Sequence, residues 1–157
     1  MFPTRILLAT DGSAEAVLAE AAAAELAAGT GSELHVVYVV STVPELPYPR
    51  AAAREQADSM LERRRLAALR VLDLRVRRVE ELGGSVAASH YREGNPEKEV
   101  IRLGEKLDVG LIMTGGKKRP RFERLFGAGF SERVLRKANR PVFVVGERGR
   151  RSSTVPK

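Results

Sequence analysis

Short apolar runs, each bounded by turn residues and followed in most cases by a helix-compatible stretch, constrain this chain more than any other feature. The first is Arg5-Ile6-Leu7-Leu8-Ala9-Thr10, which stops at Asp11-Gly12-Ser13. It is continuous rather than alternating, as expected of a strand buried on both faces. Further strands are expected at 34–40 and 142–145, which are apolar, and at 85–91 and 109–113. Ser13 is placed to cap a helix over the alanine-rich residues 14–28, and Glu15 near its start suits the helix dipole. Gly29-Thr30-Gly31 ends that helix. Residues 51–82 contain no proline or glycine. Within them Leu69, Leu72, Val76, Val79 and Leu82 recur at the 3–4 spacing of one buried helical face. Asn95-Pro96 predicts a further start, with Asn95 as N-cap and Pro96 in the first turn, for a helix running to about Lys106. Gly129-Phe130-Ser131 leads into the last helix, through Ala138.

Strands alternating with helices predict an α/β fold, an open five-stranded parallel sheet with helices on both faces. Right-handed crossovers and a reversal of strand order place a crevice at the carboxyl ends of the strands. The turns after Leu8 and after Met113 are its expected walls. With 157 residues the chain fits one domain, expected over 1–146, and a basic, aperiodic tail over 147–157.

Composition narrows the chemistry. There is no cysteine, so disulfide scaffolds, thiolate metal sites and cysteine nucleophiles are excluded. The two histidines, His35 and His90, are too few for a histidine-based metal site. No apolar run approaches the ~20 residues of a spanning helix. The first residues lack the pattern of a secretory signal, so a cytoplasmic location is expected. Ser13 lacks the Gly-x-Ser-x-Gly surround of a nucleophile elbow, and no catalytic residues are assigned. A net charge of +7 would attract polyanions. However, aromatic residues make up only 5% of the chain and there is no tryptophan, which argues against a base-stacking surface and makes nucleic acid an unfavoured partner.

Five segments resemble the universal stress protein family, in the family's order and spacing. They are Ile6 through Ser13, Leu34 through Val40, Arg92-Glu93-Gly94-Asn95-Pro96, Asp108 through Gly115, and Ser131 through Val145. The resemblance implies a regulatory module rather than a turnover enzyme, of the Rossmann-like, adenine nucleotide hydrolase-like architecture. It also implies a homodimer paired through the last strand, residues 142–145. In members that bind ATP, the adenine end resembles the region of Ala9, Thr10, Asp11 and Val39. Met113, Gly115, Gly116, Lys118, Gly127, Gly129, Phe130 and Ser131 fall in the region that resembles the phosphate end. ATP or another adenine nucleotide, with Mg²⁺, is the implied ligand.

That phosphate pattern is a glycine, two residues, a second glycine, nine residues, then a glycine followed by Ser or Thr. Counted from Gly115, the second position is Lys118, the third is Ala128, and the Ser/Thr position is Gly129. Only the first glycine is in register, so the loop is degenerate. Gly116, Gly127 and Gly129 each lie one residue from a matching position, while Lys117, Lys118, Arg119 and Arg121 offer charge instead of backbone amides. A member that has lost the nucleotide and acts by protein contact is the alternative expectation, and a weak polyanion binder the third.

Overall fold

The computed structural model describes residues 5–42, 51–116 and 129–146, with residues 51–54 as backbone only. The strands are β1 (Arg5–Ala9), β2 (Glu33–Ser41), β3 (Val86–Gly94), β4 (Leu111–Gly115) and β5 (Val142–Val145). The helices are α1 (Ala14–Thr30), α2 (Ala51–Glu81), α3 (Pro96–Lys106) and α4 (Phe130–Lys137). All four strand pairings are parallel, in the order β3-β2-β1-β4-β5. The chain therefore builds outward from β1 in one direction and then, after β3, in the other. That reversal falls between β1 and β4, and it opens the crevice expected at the carboxyl edge.

The alternation of side chains along each strand sorts the core into two layers. Ile6, Leu8, Leu34, Val36, Leu111 and Met113 pack with α1 and α2. Leu7, Ala9, Val37 and Ile112 face α3 and α4 and pack with Val100, Leu103, Val109 and Val134. Helix α1 buries mainly alanines, Ala16, Ala19, Ala23, Ala24 and Ala27. Small side chains let this helix approach the sheet closely.

Several boundaries differ from the sequence expectation. β3 continues to Gly94, because its residues stay paired with β2 as far as Ser41. β4 starts later than expected and runs through Gly115. The periodic stripe of α2 is rotated. Leu72 and Val79 are buried, but Leu69 and Leu82 are exposed, and Ala68 takes the buried position beside them. An alanine is easily passed over when a stripe is traced through larger residues. From Glu55 to Ala67 the helix is almost wholly exposed. Among the described residues no helix is long and apolar enough to cross a membrane.

Candidate functional site

The crevice holds a cavity of about 340 Å³. One wall is the end of β1 and its turn, Ala9, Thr10 and Asp11. The next strands contribute Val37 and Val39 from β2, and Thr114 and Gly115 from β4. The first turns of three helices close it: Ser13, Glu15 and Ala16 around the start of α1, Pro96 and Val100 from α3, and Gly129 through Arg133 from α4. Helix N-termini carry unsatisfied N–H groups and a partial positive charge, so three of them aimed at one space favour an anionic ligand.

The Asp11 turn is built from local hydrogen bonds. Asp11 Oδ1 accepts from the Ser13 N–H at 2.9 Å, fixing the carboxylate at the mouth of the cavity. Gly12 takes φ of 76°, a left-handed conformation that glycine adopts without strain. Ser13 Oγ accepts from the Ala16 N–H at 3.3 Å and caps α1. Replacing Ser13 with Ala is expected to lower stability by about 1 kcal/mol through loss of this cap, measured by denaturant unfolding. In α3, Asn95 Oδ1 accepts from the Lys98 N–H at 3.1 Å. Gly129, the N-cap of α4, has no side chain to offer, so among the described residues no side chain caps that first turn.

Two carboxylates beside the cavity are buried. Glu20 of α1 is fully covered and accepts a 2.7 Å hydrogen bond from the Thr10 hydroxyl. Burial pushes its carboxyl above the usual range, opposed by the Thr10 bond and by Arg75 and Arg78. Glu97 of α3 is clasped by Lys137 and Arg133 of α4. Its hydrogen bond from Lys137 holds its carboxyl below the usual range, against a smaller upward push from burial, and Arg133 lowers it further. This clasp ties the middle and the last residue of α4 to the start of α3, and so helps to set the far wall.

Of the residues expected from sequence, Ala9, Thr10, Asp11, Val39, Gly115, Gly129, Phe130 and Ser131 line the cavity. Lys118 and Gly127 lie outside the described residues. Met113 corrects the expectation. Alternation turns it into the α1/α2 layer, where it is 1% exposed, and brings the next residue, Thr114, to the cavity. Gly116 is not among the lining residues. Its N–H donates to the Val145 carbonyl at 2.8 Å, and a Cβ there would lie 2.6 Å from Val144 Cγ1. Gly115 is tighter still. A Cβ would sit 2.5 Å from the carbonyl carbon and oxygen of Glu15. The backbone of α1 thus rests directly on this glycine, a packing demand that exists whether or not a ligand binds.

Glu15, Ala16, Val37, Pro96, Val100, Glu132 and Arg133 line the cavity without having been singled out for it. The Asn95-Pro96 helix start was a usable signal for part of this set. His35 and His90 pair with each other instead, Nδ1 to Nε2 at 3.1 Å between β2 and β3. Burial, and then His35, push His90 below its ordinary value. Among the described residues no group of His, Cys, Asp or Glu is arranged to hold a metal.

Residues 3–146 match the model of the universal stress protein family. A universal stress protein of Methanocaldococcus jannaschii is 28% identical over 141 residues, covering 90% of this chain and 81% of that one. A crystal structure from the same family in Burkholderia pseudomallei is 27% identical with a TM-score of 0.63, covering 90% of this chain and 95% of that one. A universal stress protein in complex with cAMP superposes with a TM-score of 0.71 at 18% identity, covering 92% of this chain and 98% of that one.

Proposed function

This chain belongs to the universal stress protein family, and from that premise we propose that its crevice binds an adenine nucleotide and that the protein is a regulatory module in the stress response rather than a turnover enzyme. The observation that carries this reading is the convergence of three helix N-termini, one of them, at Gly129, capped by no described side chain, on a cavity bordered by Asp11. The cAMP complex of a protein of the same fold supports it. In this reading the apolar floor of Ala9, Val37 and Val39 takes the flat base, and Asp11 accepts hydrogen bonds from the nucleoside. The amides of Phe130 and Ser131 meet phosphate oxygens. Gly116, Lys118 and Gly127 belong to the proposed phosphate end, and Met113 acts only as support beneath it.

Among the described residues the cavity is lined by the carboxylates of Asp11, Glu15 and Glu132 and by the guanidinium of Arg133, which is bonded to Glu97. A highly charged triphosphate therefore needs compensation beyond these residues. Mg²⁺ does not fit a protein-only site here, since the described carboxylates do not cluster. Such an ion would arrive on the phosphates of the ligand itself.

The test is isothermal titration of the purified full chain with Mg-ATP and with cAMP. Saturable heat from either probe is expected. Asp11→Ala should weaken that binding about tenfold or more, the worth of one hydrogen bond to a charged acceptor. Absence of heat from both probes would overturn the reading.

A second reading concerns the partner. Among the described residues β5 is an edge strand, paired only with β4, and its Phe143 and Val144 are exposed. An open edge bearing apolar side chains suits pairing with a second copy. The proposed homodimer through Val142–Val145 would be checked by light scattering on wild type and a Phe143→Lys variant, which should shift the protein to monomer.

A further inference from the structure

We infer that Glu20 is a positioning residue for the Thr10–Asp11 wall of the cavity, and that Arg75 makes that wall depend on where α2 sits. This rests on the crevice being the ligand site, but its first test does not need a ligand. Three observations converge. The Thr10 hydroxyl donates to Glu20 Oε1 at 2.7 Å, and Thr10 Oγ1 accepts the Gly12 N–H at 3.4 Å. One side chain therefore ties the turn to the interior of α1.

The second oxygen of Glu20 is the unusual one. Among the described residues Oε2 is buried without a hydrogen-bond partner, and so is Arg75 Nε. Arg75 Nη1 stands 3.6 Å from Oε2, near enough for charge attraction but beyond a normal hydrogen bond. A fully buried carboxylate half-satisfied in this way responds to small movements of its cation, because attraction in a low-dielectric interior changes steeply with distance.

Helix α2 also touches the turn directly. A Cβ built on Gly12 would lie 3.8 Å from Val71 Cγ1 and 4.0 Å from Arg75 Nε. The charged groups acting on Glu20 among the described residues are Asp11 from the turn, and Arg75 and Arg78 from α2. Its neighbours one turn away on α1, Ala16, Ala23 and Ala24, carry none. A shift of α2 that draws Arg75 away would leave Glu20 to take up a proton, turn its bonding with Thr10 from pure acceptor to donor and acceptor, and loosen the hold on Gly12.

The experiment is an amide NMR titration of the unliganded full chain from acidic to neutral pH, on wild type, Glu20→Gln and Arg75→Met. In wild type the Thr10, Gly12 and Ser13 amides should follow a titration step above the ordinary carboxylate range. The step should vanish in Glu20→Gln and move to higher pH in Arg75→Met, while the Ile6, Leu7 and Leu8 amides report an intact sheet. Persistence of the step in Glu20→Gln, or its indifference to Arg75→Met, would overturn the assignment. Where wild type binds Mg-ATP or cAMP, Glu20→Gln should weaken that probe about tenfold at neutral pH and flatten its pH dependence. Unchanged affinity with an unchanged pH profile counts against a positioning role. Failure of both probes to bind wild type bears on the ligand reading alone, and the amide titration still decides the role of Glu20.

Discussion

Replacing Gly115 with alanine is expected to destabilise the protein by about 2–3 kcal/mol, near the upper end for a single added carbon forced into packed structure. The added Cβ meets the Glu15 carbonyl at 2.5 Å, and a main-chain carbonyl in the first turn of a helix cannot rotate aside as a side chain does. Either α1 lifts from the sheet or β4 bends. Lifting α1 separates its alanine face from Ile6 and Leu8 and distorts the Ser13 cap, so loss extends beyond the local contact. For a domain of this size the melting temperature should fall by about 5–10 °C, as scanning calorimetry would show. A variant as stable as wild type would show that the contact is not a constraint. By contrast, glycine valued only for phosphate approach would lose affinity and keep stability.

Glu97→Ala should cost about 1–3 kcal/mol, the worth of hydrogen bonds to a charged group. The lower half of that range is favoured because Lys137 is exposed and Arg133 partly so, and both can be rehydrated. The sign of the pH dependence follows from the direction of the shift. The folded Glu97 carboxyl is held below its unfolded value, chiefly by Lys137. Its contribution is therefore present above the unfolded carboxylate value and disappears as pH falls through the folded one. Denaturant unfolding of wild type and Glu97→Ala should differ at neutral pH and converge in acid. Glu20 runs the other way: a raised carboxyl contributes most below its unfolded value, and its contribution fades as pH rises through the folded one.

Most of the sheet was legible in the sequence because β1, β2, β4 and β5 are largely apolar and bounded by turn residues. The polar β3 was placed mainly by the Gly83-Gly84 stop before it. The Asn95-Pro96 cap was legible for the same kind of reason, since a local hydrogen bond makes it. What local pattern cannot carry is which face a residue takes at a strand end. Met113 and Thr114 differ by one step of the pleat, and only the register with β1 shows that Thr114 is the one at the cavity. Nor could spacing reveal that α3 and α4 meet through Glu97, across 36 residues from Arg133. The Asp11 side of the crevice was readable because one turn makes it. The opposite side was readable only in part, because separate helices assemble it, and because Lys117, Lys118, Arg119, Arg121 and Ala128 lie outside the described residues.

The strand order has a consequence for how the chain is made. β1 precedes every other strand of the sheet in the sequence, yet it lies in the middle of it, and Leu7 pairs with Ile112 on one side as well as His35 on the other. During translation the edge of β1 that pairs with β4 stays open until Leu111–Gly115 has left the ribosome. Pairings so distant in sequence form late and leave early segments open to wrong partners. The alanine face of α1 gives the nascent β1–α1–β2 unit only a modest apolar cover. Co-translational folding should accordingly show its decisive step when β4 emerges, and ribosome-bound chains ending before Leu111 should be the ones that chaperones hold.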